Sequence, residues 1–185
     1  MQKSGRYEFG RIITIPNALS LVRILLIPVI VWFYCVKKDH LTACTVLTLS
    51  GITDIADGII ARKFNMTSDL GKILDPIADK LTQLTVLSCL LTTHELMLLP
   101  IAVLILKELS DIFTGYLAFR RVGIVFGAEW HGKAAATALY FMIFLHIIWI
   151  DPPEALSSAS ILACTLITAA SAVMYGIRNI KSMLA

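Results

Sequence analysis

Four aspartates are concentrated in one short stretch of this chain, in two pairs. Asp54 and Asp57 are three residues apart, and Asp75 and Asp79 are four residues apart. Because residues three and four apart share one face of an α-helix, each pair would present two carboxylates on the same side. Two such faces turned toward each other would surround one small volume with four carboxylates. Carboxylates beside a lipid bilayer are costly, and where they occur they usually serve a function.

Carboxylates this close together repel one another, by about 4 kcal/mol per close pair at an effective dielectric constant of roughly 20. Such a cluster either raises its own pKa values or binds cations. Oxygen ligands favour Mg²⁺, Mn²⁺ or Ca²⁺, and two such ions about 3.5–4 Å apart clamp a phosphoryl group during displacement. No pair of histidines lies nearby in the sequence, which argues against zinc. The pattern therefore predicts a metal-dependent phosphoryl-transfer site.

Small residues beside the aspartates indicate where a ligand could approach. Gly58 and Ala61 are three residues apart and leave a bare patch of helix surface, and Gly71 does the same one turn before Asp75. Arg62, directly after the patch, can bind a phosphate with paired donors. For the Gly-x-x-Ala pattern alone, close packing of two helices is the alternative interpretation.

The elements that position these residues are predicted to be membrane helices. The chain is 57% apolar and only 16% charged, whereas soluble domains are about one quarter charged. Six apolar segments, each long enough to cross a bilayer as a helix, cover about 16–36, 41–60, a third that ends near 91, 96–118, 134–150 and 155–177. We therefore expect an all-α integral membrane protein with six transmembrane helices forming one domain, residues 15–185.

The first residues and the loop charges predict how this domain is oriented. Residues 1–14 are amphipathic and are expected to form a juxtamembrane segment along the membrane surface, a frayed terminus being the alternative. Most lysines and arginines fall on the side that holds both termini and the aspartates. By the positive-inside rule this side is cytoplasmic, so we expect a multi-pass protein of the cell inner membrane. No nucleic-acid partner is expected.

The stretch from Asp54 to Asp79 resembles the signature of the CDP-alcohol phosphatidyltransferase family. The signature reads D-x2-D-G-x2-A-R-x8-G-x3-D-x3-D, and every fixed position is matched, by Asp54, Asp57, Gly58, Ala61, Arg62, Gly71, Asp75 and Asp79. The resemblance implies a six-helix membrane fold, usually a homodimer. It also implies a site with two divalent cations, Mg²⁺ or Mn²⁺, and transfer of a phosphatidyl group from CDP-diacylglycerol to an alcohol with release of CMP.

The same resemblance assigns roles to the matched residues. Asp54, Asp57 and Asp75 would be the main metal ligands. Asp79 would lie close to the metals and act as the general base for the acceptor hydroxyl. The CDP group would be held by Asp57, Gly58, Ala61, Arg62 and Gly71.

The acceptor alcohol is indicated by other segments. Residues 15–23, 74–81 and 130–133 look like the corresponding segments of phosphatidylglycerophosphate synthases and of the cardiolipin synthases that share the fold. Glycerol 3-phosphate is the expected acceptor, and phosphatidylglycerol is the alternative. In one departure, the Arg-Glu pair of glycerophosphate-using relatives is replaced by Lys107-Glu108, and the later arginine by a position near Gly115.

An acceptor phosphate needs a basic cradle. The candidates to form it are Lys107, Arg120, Arg121, His131 and Lys133. Several of these residues also have an alternative interpretation without acceptor binding: an internal ion pair for Lys107, contact with anionic lipid heads for the two arginines, and an exposed surface position for His131. A function of another class, an ion or metal transporter that uses the aspartates, is disfavoured because the aspartates lie at the cytoplasmic end rather than at mid-membrane.

Overall fold

The computed structural model of the protein describes residues 15–63, 69–122, 129–149 and 151–184. Within these ranges some side chains are not described, among them those of Asp57, Ala61, Arg62 and Arg121. The expected juxtamembrane segment, residues 1–14, lies outside the described residues. The described ranges are almost entirely helical and contain no strand, which confirms the predicted all-α class.

Each apolar segment predicted from the sequence forms a helix in the described ranges. The α-helices are α1 (Ile15–Val31), α2 (His40–Lys63), α3 (Asp69–Leu91), α4 (Leu98–Val122), α5 (Trp130–Ile148) and α6 (Glu154–Leu184). A π-helical turn, Trp32–Val36, extends α1, and a short 3₁₀ turn, Glu95–Met97, precedes α4.

The start of α2 follows from its capping residue. Asp39 accepts hydrogen bonds from the backbone N–H of Thr42 at 3.1 Å and from its hydroxyl at 2.6 Å. A side chain that binds the third helical N–H in this way satisfies one of the orphan donors of a helix end. Lys38, just before it, has a φ of 53° and turns the chain between α1 and α2.

Two helix boundaries differ from the sequence prediction. Helix α5 begins at Trp130 rather than near 134, so His131 and Lys133 lie on a helix rather than in a link. Helix α6 continues to Leu184 rather than ending near 177, so Arg178 is helical. Both extensions carry polar residues that bond to other elements, as described below, and tertiary contacts of this kind override local apolarity.

Three stretches of the described residues are long and apolar enough to cross a membrane. They are Asn17–Val36, Trp130–Ile148 and Glu154–Lys181. The other three helices each contain charged residues within their apolar segments, including Asp54 on α2, Asp75 on α3 and Lys107 on α4. The six transmembrane helices predicted from the sequence are therefore supported at three positions and stay a prediction at the others.

The helices bury several polar side chains beside their apolar core and expose many large apolar ones. Polar side chains are buried, among them Ser20, Gln83, His146 and Ser171. Large apolar side chains are exposed on the outer faces of the helices, among them Leu25, Leu106, Phe141 and Leu166. Because large exposed apolar surfaces mark contact with another apolar phase, this pattern is typical of a lipid-facing protein.

The chain forms two compact units, one up to Val86 and one from Leu87 onward. In the first unit α1 packs along α2, and the first five turns of α3 complete it. In the second unit α6 packs against both α4 and α5. The first unit carries the aspartates, and the second carries the candidate acceptor residues.

Candidate active site

A buried arginine on α1 holds the first aspartate of α2. The guanidinium NH2 of Arg23 lies 2.5 Å from Oδ1 of Asp54. The side chain of Arg23 is only 3% exposed, whereas that of Asp54 is 46% exposed. Because arginine cannot lose its proton in proteins, its burial requires a carboxylate partner, and this ion pair fixes α1 against α2.

The two aspartates of α3 are each bonded in a similar way. The hydroxyl of Ser20, one turn before Arg23 on α1, donates a short hydrogen bond to Oδ1 of Asp75. The side-chain amide of Gln83 donates to Oδ2 of Asp79 at 2.9 Å. Ser20 and Gln83 are both almost completely buried. Helix α1 therefore contacts carboxylates on both α2 and α3.

Arg23 and Ser20, one turn apart on α1, bind Asp54 of α2 and Asp75 of α3. Asp54 lies within electrostatic range of both Asp75 and Asp79. Within the described side chains no three potential ligands are close enough to enclose an ion, and the side chain of Asp57 lies outside them. Several repelling carboxylates with only oxygen donors are the chemistry that fits a hard divalent cation, so these residues suit Mg²⁺ or Mn²⁺.

The predicted nucleotide-binding residues lie on the same two helices. Gly58 is partly exposed on α2, one turn after Asp54, and Gly71 is buried near the start of α3. Ala61 and Arg62 belong to the last turn of α2, and their side chains lie outside the described residues.

Lys107, the first candidate acceptor residue, is buried in α4 and paired within its own helix. Its Nζ lies 2.8 Å from Oδ2 of Asp111 and 3.2 Å from Oε1 of Glu108. It also lies 5.2 Å from the centre of the Tyr175 ring. The internal ion pair considered from the sequence is therefore present, with Asp111 as a second partner.

His131 is buried, so the alternative of an exposed surface position is wrong. It is one residue into α5 and only 4% exposed. Its Nδ1 lies 3.1 Å from the Ser171 hydroxyl of α6, and its Nε2 lies 3.0 Å from Oε2 of Glu129. Its ring also packs edge-on against Tyr175, with 4.4 Å between ring centres. These contacts turn the residue toward α6 and away from solvent.

Glu129 connects the start of α5 to the end of α6. Its Oε1 accepts a hydrogen bond from NH1 of Arg178 at 2.9 Å, while Oε2 lies against His131. The hydrogen bond from Arg178, followed by that with His131, holds the pKa of the Glu129 carboxyl below its ordinary value. The Glu129 carboxylate is thus bound by α6 through one oxygen and by α5 through the other.

Tyr175 is the residue around which this second cluster is arranged. Its hydroxyl accepts the backbone N–H of Glu129 at 2.9 Å, and its ring lies 4.8 Å from the guanidinium of Arg178. Gly132 permits this approach, since a Cβ there would collide with the Tyr175 hydroxyl and lie 3.1 Å from two ring carbons. The cation–π contact of Lys107 therefore holds α4 against α6. The absence of a side chain at Gly132 lets α5 pack closely against Tyr175 of α6.

The five predicted acceptor residues do not all meet. Lys107 and His131 both contact Tyr175. Arg120 is exposed near Tyr116, with 5.8 Å from its guanidinium to that ring, and Lys133 is exposed on α5. The side chain of Arg121 lies outside the described residues.

Several site residues were not assigned from the sequence. They are Ser20, Arg23 and Gln83 beside the aspartates, and Glu129, Tyr175 and Arg178 in the second cluster. One signal in the sequence was the recurrence of polar residues every three positions along the apolar segment of α1, at Asn17, Ser20 and Arg23, all of which are buried. That pattern indicates a polar helix face but does not identify its partner.

Comparison with known proteins agrees with the sequence motif. The family model described as CDP-alcohol phosphatidyltransferase matches residues 13–175. A cardiolipin synthase (CMP-forming) of Streptomyces coelicolor is 37% identical over 123 residues, which are 64% of this chain and 57% of that protein. A CDP-diacylglycerol--glycerol-3-phosphate 3-phosphatidyltransferase of Rickettsia bellii is 36% identical over 113 residues, 60% of this chain and 62% of that protein.

A third relative is a cardiolipin synthase (CMP-forming) / mitochondrial hydrolase fusion protein of Schizosaccharomyces pombe. It is 43% identical over 95 residues, 51% of this chain and 16% of that protein. The chain therefore covers less than two thirds of the length of each of these relatives. Since the family match extends over most of the chain and includes the whole aspartate stretch, the chain belongs to the CDP-alcohol phosphatidyltransferase family.

Proposed function

We propose that the protein transfers a phosphatidyl group from CDP-diacylglycerol to an alcohol and releases CMP. The observation that carries this proposal is that one face of α1 binds carboxylates of both helices: Arg23 pairs with Asp54 of α2, and Ser20, one turn earlier, donates to Asp75 of α3. These are the carboxylates of the family signature, and they come from two helices, as a site for a cation-bound pyrophosphate requires.

The metal site would be formed by Asp54, Asp57, Asp75 and Asp79 with two Mg²⁺ or Mn²⁺ ions. When bound, such ions neutralise the pyrophosphate of the donor and stabilise the charge that develops on the departing CMP. The residues themselves would contribute carboxylates from two helices, of which those of Asp54, Asp75 and Asp79 are held by neighbouring donors. Asp57, Gly58, Ala61, Arg62 and Gly71 would hold the CDP group, with the small residues giving access to the backbone and Arg62 binding phosphate.

Asp79 is the proposed general base. Its carboxylate would accept the proton of the acceptor hydroxyl while the acceptor oxygen forms a bond to the phosphorus that carries diacylglycerol. The bond from that phosphorus to the phosphate oxygen of CMP breaks in the same displacement, and CMP leaves with the bonding electrons. Gln83 binds one oxygen of Asp79 at 2.9 Å and restrains its rotation.

Glycerol 3-phosphate is the first candidate acceptor, which would make phosphatidylglycerophosphate for phospholipid biosynthesis. The support is the similarity to the Rickettsia enzyme, whose name includes this acceptor, and the presence of Lys107 and His131 at one cluster. Arg120, Arg121 and Lys133 complete the proposed set of basic residues.

Phosphatidylglycerol is the second candidate acceptor, which would give cardiolipin. It is favoured by a specific observation: the cations of the second cluster already have carboxylate partners. Lys107 is paired with Glu108 and Asp111, and Arg178 with Glu129. A phosphate dianion would have to compete with three carboxylates, whereas a lipid phosphodiester carries a single charge and depends less on such a cradle.

The acceptor is tested by supplying radiolabelled CDP-diacylglycerol with each alcohol in turn to the purified protein in lipid vesicles. The first candidate predicts labelled phosphatidylglycerophosphate with glycerol 3-phosphate and no cardiolipin with phosphatidylglycerol. Labelled cardiolipin alone would establish the second candidate and refute the first.

The proposal includes a location for the site. We infer six membrane helices in the cell inner membrane, with both termini and the aspartates on the cytoplasmic side, and a homodimer. The support for the membrane placement is the three apolar helices and the concentration of lysine and arginine in the links on the side that holds both termini. The homodimer is inferred from the family resemblance alone. Diacylglycerol chains would stay in the bilayer while the nucleotide is bound at its edge.

A further inference from the structure

Three buried donors lie behind the three described carboxylates of the site. The donors are Ser20, Arg23 and Gln83, each no more than 2% exposed. The carboxylates that they bind are Asp75, Asp54 and Asp79, all partly exposed. Each aspartate is therefore restrained from the protein side while remaining accessible on another side.

Arg23 differs from the other two donors because it also places a positive charge beside the carboxylates. Asp54 experiences repulsion from Asp75 and Asp79, and the guanidinium offsets part of it because it binds Asp54 directly at 2.5 Å. The bond uses Oδ1, one of the two carboxylate oxygens. Since Arg23 is buried and Asp54 is about half exposed, the arginine supports the carboxylate without covering it.

Ser20 and Gln83 are neutral and act on orientation alone. Ser20 is on the same face of α1 as Arg23, three residues earlier, and its bond to Asp75 is also to Oδ1. Gln83 follows Asp79 by one turn of α3 and bonds to its Oδ2. Donors that bind metal-ligating carboxylates in this way orient the ligands, and their loss typically weakens metal affinity by about 10- to 100-fold.

We propose that Ser20, Arg23 and Gln83 are positioning residues that hold the carboxylates of α2 and α3 in their metal-binding arrangement before a cation arrives. Arg23 is the strongest restraint on orientation because it holds Asp54 from a buried position; its positive charge offsets carboxylate repulsion before a cation binds and by itself opposes cation binding. This inference rests on the proposed metal dependence of the site and concerns the protein before any substrate binds. It predicts a change in cation affinity, which a merely structural ion pair would not produce.

The test measures binding of Mn²⁺ to the purified protein in detergent micelles by electron paramagnetic resonance, without substrate. Because loss of a positive charge alone would strengthen Mn²⁺ binding, weaker binding in Arg23→Met reports lost positioning. We expect Mn²⁺ affinity to fall several-fold in Arg23→Met and to recover in part in Arg23→Lys, which can still donate to Asp54. Ser20→Ala is expected to weaken affinity several-fold. Its matched control, Ser160→Ala on α6, removes a hydroxyl that bonds only within its own helix and should leave the affinity unchanged.

Wild-type affinity in Arg23→Met would overturn the proposal. If that variant fails to fold, Ser20→Ala is the deciding variant. The same Mn²⁺ affinity in Ser20→Ala as in Ser160→Ala would also overturn the proposal. A wild-type protein that binds no Mn²⁺ would also overturn it. CMP release, measured separately on the wild type, keeps the two proposals apart: Mn²⁺ binding that weakens in Arg23→Met supports the positioning role even if no phosphatidyl product forms.

Discussion

Replacing Lys107 with methionine tests whether the second cluster is held together by its buried cation. The change removes the bonds to Asp111 at 2.8 Å and to Glu108 at 3.2 Å, so two carboxylates each lose a cationic partner. Breaking a fully buried pair costs about 3–5 kcal/mol. The side chains of Asp111 and Glu108 are 23% and 28% exposed, and because water screens part of the charge we expect about 2–3 kcal/mol.

The assay is the midpoint of thermal unfolding in detergent micelles. For a chain of this size 1 kcal/mol corresponds to about 2–4 °C, so Lys107→Met should lower the midpoint by about 4–12 °C. The matched control is Lys133→Met, whose side chain is exposed on α5 and which should shift the midpoint by less than about 2 °C.

A second variant identifies the cause of the loss. In Lys107→Met combined with Asp111→Asn, one of the unpaired charges is also removed, so at least half of the lost stability should return. A single variant as stable as Lys133→Met, or a double variant no more stable than Lys107→Met, would refute the ion-pair reasoning. If the double variant is stable but has a raised KM for the acceptor alcohol, Lys107 also contributes to acceptor binding.

Two further predictions concern Gly132 and Glu129. Gly132→Ala should destabilise the protein by roughly 1–3 kcal/mol through overpacking against Tyr175, and adding Tyr175→Phe should restore part of the thermal midpoint; a fully stable Gly132→Ala would contradict the close contact. Because Arg178 holds the pKa of Glu129 below its value in the unfolded chain, this contact contributes fully above the unfolded pKa of about 4.3 and is lost as the pH falls through the folded pKa. The difference in midpoint between wild type and Glu129→Gln should therefore be smaller at about pH 3 than at about pH 5; a difference that does not shrink below about pH 4 would contradict this sign.

The aspartate pairs could be predicted from the sequence because they depend only on residues three or four positions apart. Three- and four-residue spacings place Asp54 with Asp57 and Asp75 with Asp79 on common helix faces, whatever the rest of the fold does. That the two faces meet around a metal stays a prediction; the structure shows Asp54 of α2 and Asp75 of α3 bound by side chains one turn apart on α1. The helices could be predicted as well, because long apolar segments between polar turns determine them.

The donors behind the aspartates could not be assigned from the sequence, because they depend on helix packing. Ser20 is 55 residues from Asp75 along the chain, and no spacing rule connects them. Arg23 was visible as a charge that interrupts an apolar segment, but its partner is determined by which face of α1 packs along α2. Local pattern indicates that a polar face exists, and only the tertiary structure shows which carboxylate it meets.

The environment of His131 was misjudged for a related reason. A histidine between tryptophan and glycine, next to a lysine, looks like part of a polar link. Its partner Ser171 is 40 residues away on α6, and Glu129 is in turn bonded to Arg178, 49 residues away. Because these bonds extend α5 toward its N-terminus and α6 toward its C-terminus, the errors in helix boundaries and in burial have one cause.

The most direct test of the proposed function is CMP release by a single carboxylate variant. The purified protein in vesicles that contain CDP-diacylglycerol, with Mg²⁺ and both candidate acceptors, is compared with Asp75→Asn. The control is Asp39→Asn, an exposed aspartate whose capping of α2 an asparagine can replace. We predict CMP release in the wild type and in Asp39→Asn, and a loss of at least about 100-fold in Asp75→Asn. Wild-type protein that releases no CMP, or Asp75→Asn that releases it at the wild-type rate, would contradict the account.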